Sequence, residues 1–317
     1  MNRYWIVVAI LLMAIGLTVF ATVMTVNNWD FSILETDKME TSTHVIDSEF
    51  KNISINTNTT DITVLKSEDG VCKVVCTEYS KQKHTALVED QTLTVSLSDQ
   101  RKWYEHIQIF SRPSSVKVYL PDLEYGALII NGDTSDVDVG DHLRFDNIDV
   151  SLTTGDVRCN ASSDGAVKIK VTTGDIDVKK ICAGTVDVIA STGRVKAADV
   201  ECAGEFSVSV STGKALVENV SCKSFNSEGS TGDLDAEGLI AEDLIFVKRN
   251  TGDVELENCD AAEITVKTTT GDVEGVLLSD KIFVVRTDTG KIEVPQTTSG
   301  GVCNITTDTG DIEFKVK

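Results

Sequence analysis

Six aspartates follow a glycine and precede an apolar residue: Asp156, Asp175, Asp233, Asp253, Asp272 and Asp311. Carboxylates that recur in one slot can chelate a hard cation, because calcium takes several carboxylate oxygens at once. Asp233, Asp253 and Asp272 follow one another without interruption, which makes them a candidate calcium edge. Arg194, Lys214 and Lys291 take the same slot elsewhere and relieve part of the repulsion along such a column. The competing reading is structural: each Asp caps its turn by accepting hydrogen bonds from nearby backbone N–H groups. The glycine-rich G-G-x-G-x-D nonapeptide of calcium-loaded β-rolls does not occur.

Other reactive residues form no recognised constellation. Carboxylates sit in repeating slots rather than in a unique pair, which argues against the acid/base chemistry of polysaccharide-cleaving β-helices. The sequence has no phosphate loop, H-E-x-x-H or G-x-S-x-G, and His44, His84, His106 and His142 lie outside the regular repeat. Arg101, Trp103 and Tyr104 are the one place where base and aromatics cluster, a candidate recognition tip. The alternative is that Trp103 covers an open coil. Cys182, Cys202 and Cys222 recur at 20-residue steps and, with Ala241, suggest a narrow inner wall of small side chains. Cys159, Cys259 and Cys303 fall on apolar positions. Cys72 and Cys76 lie about 13 Å apart along a strand, too far to bridge. The cysteines read as buried thiols acting as small hydrophobes, and the clustered Cys/His spacing of a zinc site is absent.

The elements that hold these residues follow from a repeat. Gly155, Gly174, Gly193, Gly213, Gly232, Gly252, Gly271, Gly290 and Gly310 are spaced by 19 or 20 residues, each after Thr. Apolar residues alternate on both sides, as in Val167, Ile169 and Val171 before Gly174, then Ile176 and Val178 after it. Period-two alternation means strands with one buried face. Two short strands and a tight turn cannot bury themselves alone, so successive units must stack in parallel. The fold class expected is all-β: a single-chain parallel β-solenoid (β-helix) of about 19-residue coils. Ser135 occupies the glycine slot one coil earlier, and nine rises of about 4.8 Å give a rod of roughly 43 Å. Asn58 to Val64 reads as a degenerate copy of the unit.

The N-terminus is different. Trp5 to Val26 carries no charge over 22 residues, enough to span a ~30 Å hydrocarbon core. Its length and the poor cleavage site at Phe20-Ala21-Thr22 favour an uncleaved anchor over a signal peptide. Arg3 before it and acidic residues after it place the N-terminus in the cytoplasm and the remainder outside. The chain thus divides into 1–26, cytoplasmic start and transmembrane helix; 27–43, an acidic linker; 44–131, an irregular β cap with the first coils; and 132–317, the regular solenoid. The net charge of -21 excludes nucleic acid and anionic lipid surfaces as partners. The last residues lie on a repeat strand with no cap after them, so the final coil is expected to present its edge, softened by Lys315 and Lys317.

An anchor, the segment Val116-Lys117-Val118-Tyr119-Leu120-Pro121 and a ladder of Thr-Gly-Asp-Val units together resemble the bacterial "putative adhesin" family over residues 45–317. The resemblance implies a β-solenoid, a cell-envelope setting and no catalytic residues. The expectation is a non-enzymatic, single-pass cell-membrane protein with an extracellular solenoid that binds a cell-wall, matrix or protein ligand, in adhesion or envelope-stress sensing. A scaffold self-associating through its coil ends is the alternative, and a polysaccharide-active β-helix enzyme a remote one. No cofactor is expected apart from calcium at the aspartate edge.

Overall fold

A computed structural model describes residues 3–29, 39–99 and 113–317. Helix α1 (Arg3–Val26) carries no charge after Arg3, and its span Tyr4–Val26 is long and apolar enough to cross a bilayer. The hydroxyls of Thr18, Thr22 and Thr25 donate to the carbonyls four residues earlier, so these three groups are satisfied within the helix itself.

Everything else described is β structure, one 26-stranded sheet wound into a solenoid of about ten turns. Neighbouring coils pair in parallel with side chains in register, so each interior position forms a column. One such column runs Val167, Val186, Phe206, Phe225, Ile245 and Ile264, all buried. Phe206 meets Phe225 edge to face at 5.7 Å. Burying each such side chain contributes roughly 1.5–3 kcal/mol, which is how short strands with little local preference stay ordered.

The stacking order differs from the chain order at both ends. The strands near the N-terminus are β1 (Met39–Val45), β2 (Asn52–Thr57), β3 (Thr60–Lys66), β4 (Lys73–Tyr79), β5 (Gln82–Glu89), β6 (Thr92–Asp99), β7 (Ser114–Leu120), β8 (Glu124–Thr134) and β9 (Val137–Val139). β2 lies between β6 and β8, and β3 between β7 and β9. The coil formed by β2 and β3 is therefore sandwiched by segments that follow it. Asn58 to Val64 is a true copy of the repeat, stacked on Asp133 to Val139. Antiparallel strands then close this end: β5 lies on β6, β4 on β7, and β1 on β4. β1 begins at Met39, inside the stretch read from sequence as linker.

At the other end, strands Gly301–Thr309 and Ile312–Val316 insert between the coil of Gly271 and the coil of Gly290. This corrects the expectation that the C-terminal coil presents the edge. The outermost coil is the preceding one, Lys281–Thr289 with Ile292–Glu293. Its inward residues Phe283 and Val285 are only half-buried because no further coil among the described residues covers them.

The inner wall of small residues is also corrected in its register. The buried column is Ala183, Cys202, Cys222 and Ala241, whereas Cys182 pairs with Glu201 one position away and is exposed. The coil between residues 183 and 202 is 19 residues long, so a fixed step of 20 slips by one and turns Cys182 outward. Of the eight cysteines, all unbridged, the other seven are buried.

Candidate binding surface

The Thr-Gly-Asp corner is built by backbone geometry. The corner glycines have φ between +125° and +155°, as at Gly232 and Gly290. A side chain in that slot would be strained, and its Cβ would also collide with the glycine carbonyl of the adjoining coil, as Gly252 would with Gly232. Eight of the nine corner glycines, all but Gly290 on the outermost coil, donate their N–H across the gap, for example Gly252 to the Thr270 carbonyl at 2.9 Å.

The aspartates continue this ladder. The backbone N–H of Asp272 donates to Asp253 Oδ1 at 2.9 Å, and that of Asp253 to Asp233 Oδ1 at 3.0 Å. Asp311 N–H donates to Asp272 Oδ1, and Lys291 N–H to Asp311 Oδ1. At the other end the chain of caps runs from Asp61 through Asp136, Asp156 and Asp175 to the Arg194 N–H. Each carboxylate thus caps the same slot of the next coil rather than its own turn. In space Asp311 follows Asp272 and Lys291 comes last, which reverses the order read along the chain. One oxygen of each of Asp233, Asp253 and Asp272 is committed to backbone. The Arg194 guanidinium meets Asp175 Oδ2 at 2.8 Å, so the first basic substitution neutralises the column it interrupts.

Beside this corner the solenoid presents an acidic wall. One outward column carries Asp235, Glu255, Glu274, Glu313 and Glu293 on five consecutive coils. Glu218, Glu237 and Glu257 line the next column and bound a groove of about 310 Å³ with Asp235 and Glu255. Like charges on adjacent strands repel. Partial desolvation, then the neighbouring Asp235, Glu274 and Glu257, push the Glu255 carboxyl above its ordinary range. Lys196 against Glu218 at 2.7 Å, Lys214 against Asp235, and Lys315 against Glu313 at 2.8 Å offset part of this charge, while Glu255 and Glu274 lie between those pairs.

Arg101, Trp103 and Tyr104 lie outside the described residues. Two features escaped the sequence reading. Lys180, Asp199, Asn219, Gly238 and Asn258 all have positive φ and form a second corner column, signalled by Asp, Asn and Gly recurring at the repeat period. Cys76, Glu78 and His84 converge near the closed end, with ligating atoms all within 4.8 Å of one another.

A family model described as Toastrack DUF4097 matches residues 50–207 and 199–317. No curated protein matches. Among solved structures, a putative adhesin from Parabacteroides distasonis is 14% identical, with a TM-score of 0.50 over 88% of this chain and 98% of that one. A putative adhesin from Bacteroides fragilis is also 14% identical, with a TM-score of 0.45 over 88% and 97%. A putative lipid binding protein from Parabacteroides distasonis is 12% identical, with a TM-score of 0.42 over 87% and 97%.

Proposed function

The chain belongs to the Toastrack DUF4097 family, and from that premise we propose a non-enzymatic, membrane-anchored cell-envelope protein whose rigid solenoid presents an acidic wall to a binding partner. The observation that carries this reading is the unbroken column of Asp235, Glu255, Glu274, Glu313 and Glu293. Side chains fixed in register on a packed sheet lose little freedom on binding, so a partner with matched positive charge meets a surface already organised. In this reading α1 crosses the membrane with Arg3 on the cytoplasmic side and the solenoid outside, serving adhesion or envelope-stress sensing. Calcium at Asp233, Asp253 and Asp272 would tune the same face through the carboxylate oxygens that the backbone leaves open. Arg101, Trp103 and Tyr104 would add an aromatic contact of their own.

The test uses the full chain in nanodiscs, presented with purified cell-wall polymers and matrix components, with calcium and with chelator. Binding is expected to weaken steeply with salt. It is expected to fall at least tenfold when Asp235, Glu255 and Glu274 become their amides. Binding unchanged by those substitutions, or lost only on Trp103→Ala with Tyr104→Ala, would move recognition away from the wall.

A second reading is a scaffold that self-associates end to end. It is supported by the coil of Gly290, where half-buried Phe283 and Val285 and exposed Ile282 and Val284 border a strand edge that no other described strand pairs. Oligomers that grow with concentration and vanish on Val284→Lys would favour it.

A further inference from the structure

The closed end of the solenoid contains a cluster that the wall does not use. Cys76 and Glu78 are two apart on β4 and so face the same way, into the core. His84 enters from β5, beyond the turn at Ser80 and Lys81. All three residues are at most 2% exposed. Their surroundings come from three further strands: Ser42 on β1, Thr60 on β3 and Ser114 on β7. Ser42 Oγ donates to Glu78 Oε1 at 3.1 Å, and Glu78 Oε2 lies 2.7 Å from His84 Nδ1 and 2.6 Å from the His84 backbone N. On the far side of the ring, Nε2 is 3.3 Å from Thr60 Oγ1, which is 2.7 Å from Ser114 Oγ, itself 3.3 Å from the Thr59 carbonyl.

We propose that Cys76, Glu78 and His84 form a transition-metal site, of zinc by the chemistry of its donors, that fastens β4 to β5 at the closed end. Thiolate sulfur, imidazole nitrogen and carboxylate oxygen are the donors that tetrahedral zinc accepts, and three protein ligands leave one position for water. Lys83 Nζ, held at 2.7 Å by Glu40, comes only to 3.8 Å from Glu78 Oε1, and a dication among the three buried side chains would supply closer compensation for both anionic ligands. The hydroxyl chain behind His84 fits both states. Without metal, Nδ1–H donates to Glu78 and Nε2 accepts from the Thr60 hydroxyl. With metal on Nδ1, the ring proton sits on Nε2 and donates to Thr60, Thr60 donates to Ser114, and Ser114 to the Thr59 carbonyl. No polar atom is orphaned either way, which is the outer support that metal-ligating histidines require. The imidazole and carboxylate keep their charges, and the thiol releases one proton for each metal bound.

The experiment titrates detergent-solubilised full chain, stripped by chelator, with Co2+ and then Zn2+. One equivalent of Co2+ is expected to give a thiolate-to-cobalt charge-transfer band that Zn2+ abolishes, with one proton released. Cys76→Ala should eliminate the band, whereas Cys182→Ala, at the exposed thiol, should keep it. Thr60→Val retains all three ligands and should weaken affinity about tenfold with the band unchanged. No band in the wild-type protein, or a band that survives Cys76→Ala, overturns the site. Should Cys76→Ala fail to fold, the wild-type titration and Thr60→Val decide, and an affinity unchanged by Thr60→Val also overturns the site.

Discussion

At the scale of single residues, the corner aspartates act as hydrogen-bond acceptors before they act as charges. Asp253→Ala removes the acceptor for the Asp272 N–H and should cost about 1 kcal/mol. Asp253→Asn keeps that acceptor, removes a like charge from the column, and should leave stability equal or higher; denaturant unfolding of the two variants separates these roles. Arg249 is an inward-facing side chain buried beneath Gly229, whose missing Cβ makes room for it. It donates to Ser227 Oγ at 2.8 Å and to the Lys248 carbonyl at 3.2 Å, and burial lowers its guanidinium to about 10. Its hydrogen-bond partners are neutral, and desolvation outweighs the favourable charges of Asp233 and Glu228, so the buried guanidinium is a net cost. Arg249→Met should therefore raise the unfolding free energy by roughly 1–2 kcal/mol, seen as a higher unfolding midpoint, and a fall in the midpoint would show the hydrogen bonds to outweigh desolvation.

At the scale of the element, the strand and the corner were legible because both repeat. Alternation around Gly174 and Gly252 identified the buried faces, and glycine at a fixed interval identified the turn. The second corner was less visible, since Lys180 occupies a positive-φ slot that Asp199, Asn219, Gly238 and Asn258 fill with residues better suited to it. Cys182 was misplaced because coils alternate between 19 and 20 residues, and one residue of slip moves a side chain to the other face. Cys76, Glu78 and His84 come together only across antiparallel closing strands that have no repeat to betray them. The acidic column follows directly from register and carries its own pH dependence. The Glu255 carboxyl is raised in the folded state, so its stabilising contribution is fully present below about 4.5 and is lost as pH rises through the folded value. Glu255→Gln should therefore be more stable than wild type at pH 7, with the difference disappearing below pH 4.5 in thermal unfolding. A difference that persists at low pH would assign the effect to packing.

At the scale of the whole molecule, the two ends of the solenoid are wound out of order, and no periodic signal could reveal it. Asp288-Thr289-Gly290-Lys291-Ile292-Glu293-Val294 and Asp308-Thr309-Gly310-Asp311-Ile312-Glu313-Phe314 are copies that differ at two of seven positions, so the repeat pattern does not assign them to slots. In an ordinary solenoid the terminal coils have one neighbour and fray first. Here the first coil, β2 with β3, and the last, Gly301–Val316, each have two neighbours. Amides of Gly301–Thr309 should exchange hydrogen as slowly as those of inner coils, while Lys281–Thr289 exchanges first. The reverse order would indicate sequential stacking.

The acidic wall is continuous only because Glu313 lies between Glu274 and Glu293, so the most direct measurement is a cross-link that reads this order. Cysteines placed at 274 and 313 are in-register neighbours on adjacent parallel strands, within disulfide reach, whereas 274 and 293 are separated by a whole coil. Under mild oxidation, Glu274→Cys with Glu313→Cys is expected to form the bond rapidly, and Glu274→Cys with Glu293→Cys to remain reduced. Bonding of the second pair and not the first would contradict the intercalated end, and with it the five-coil column of carboxylates.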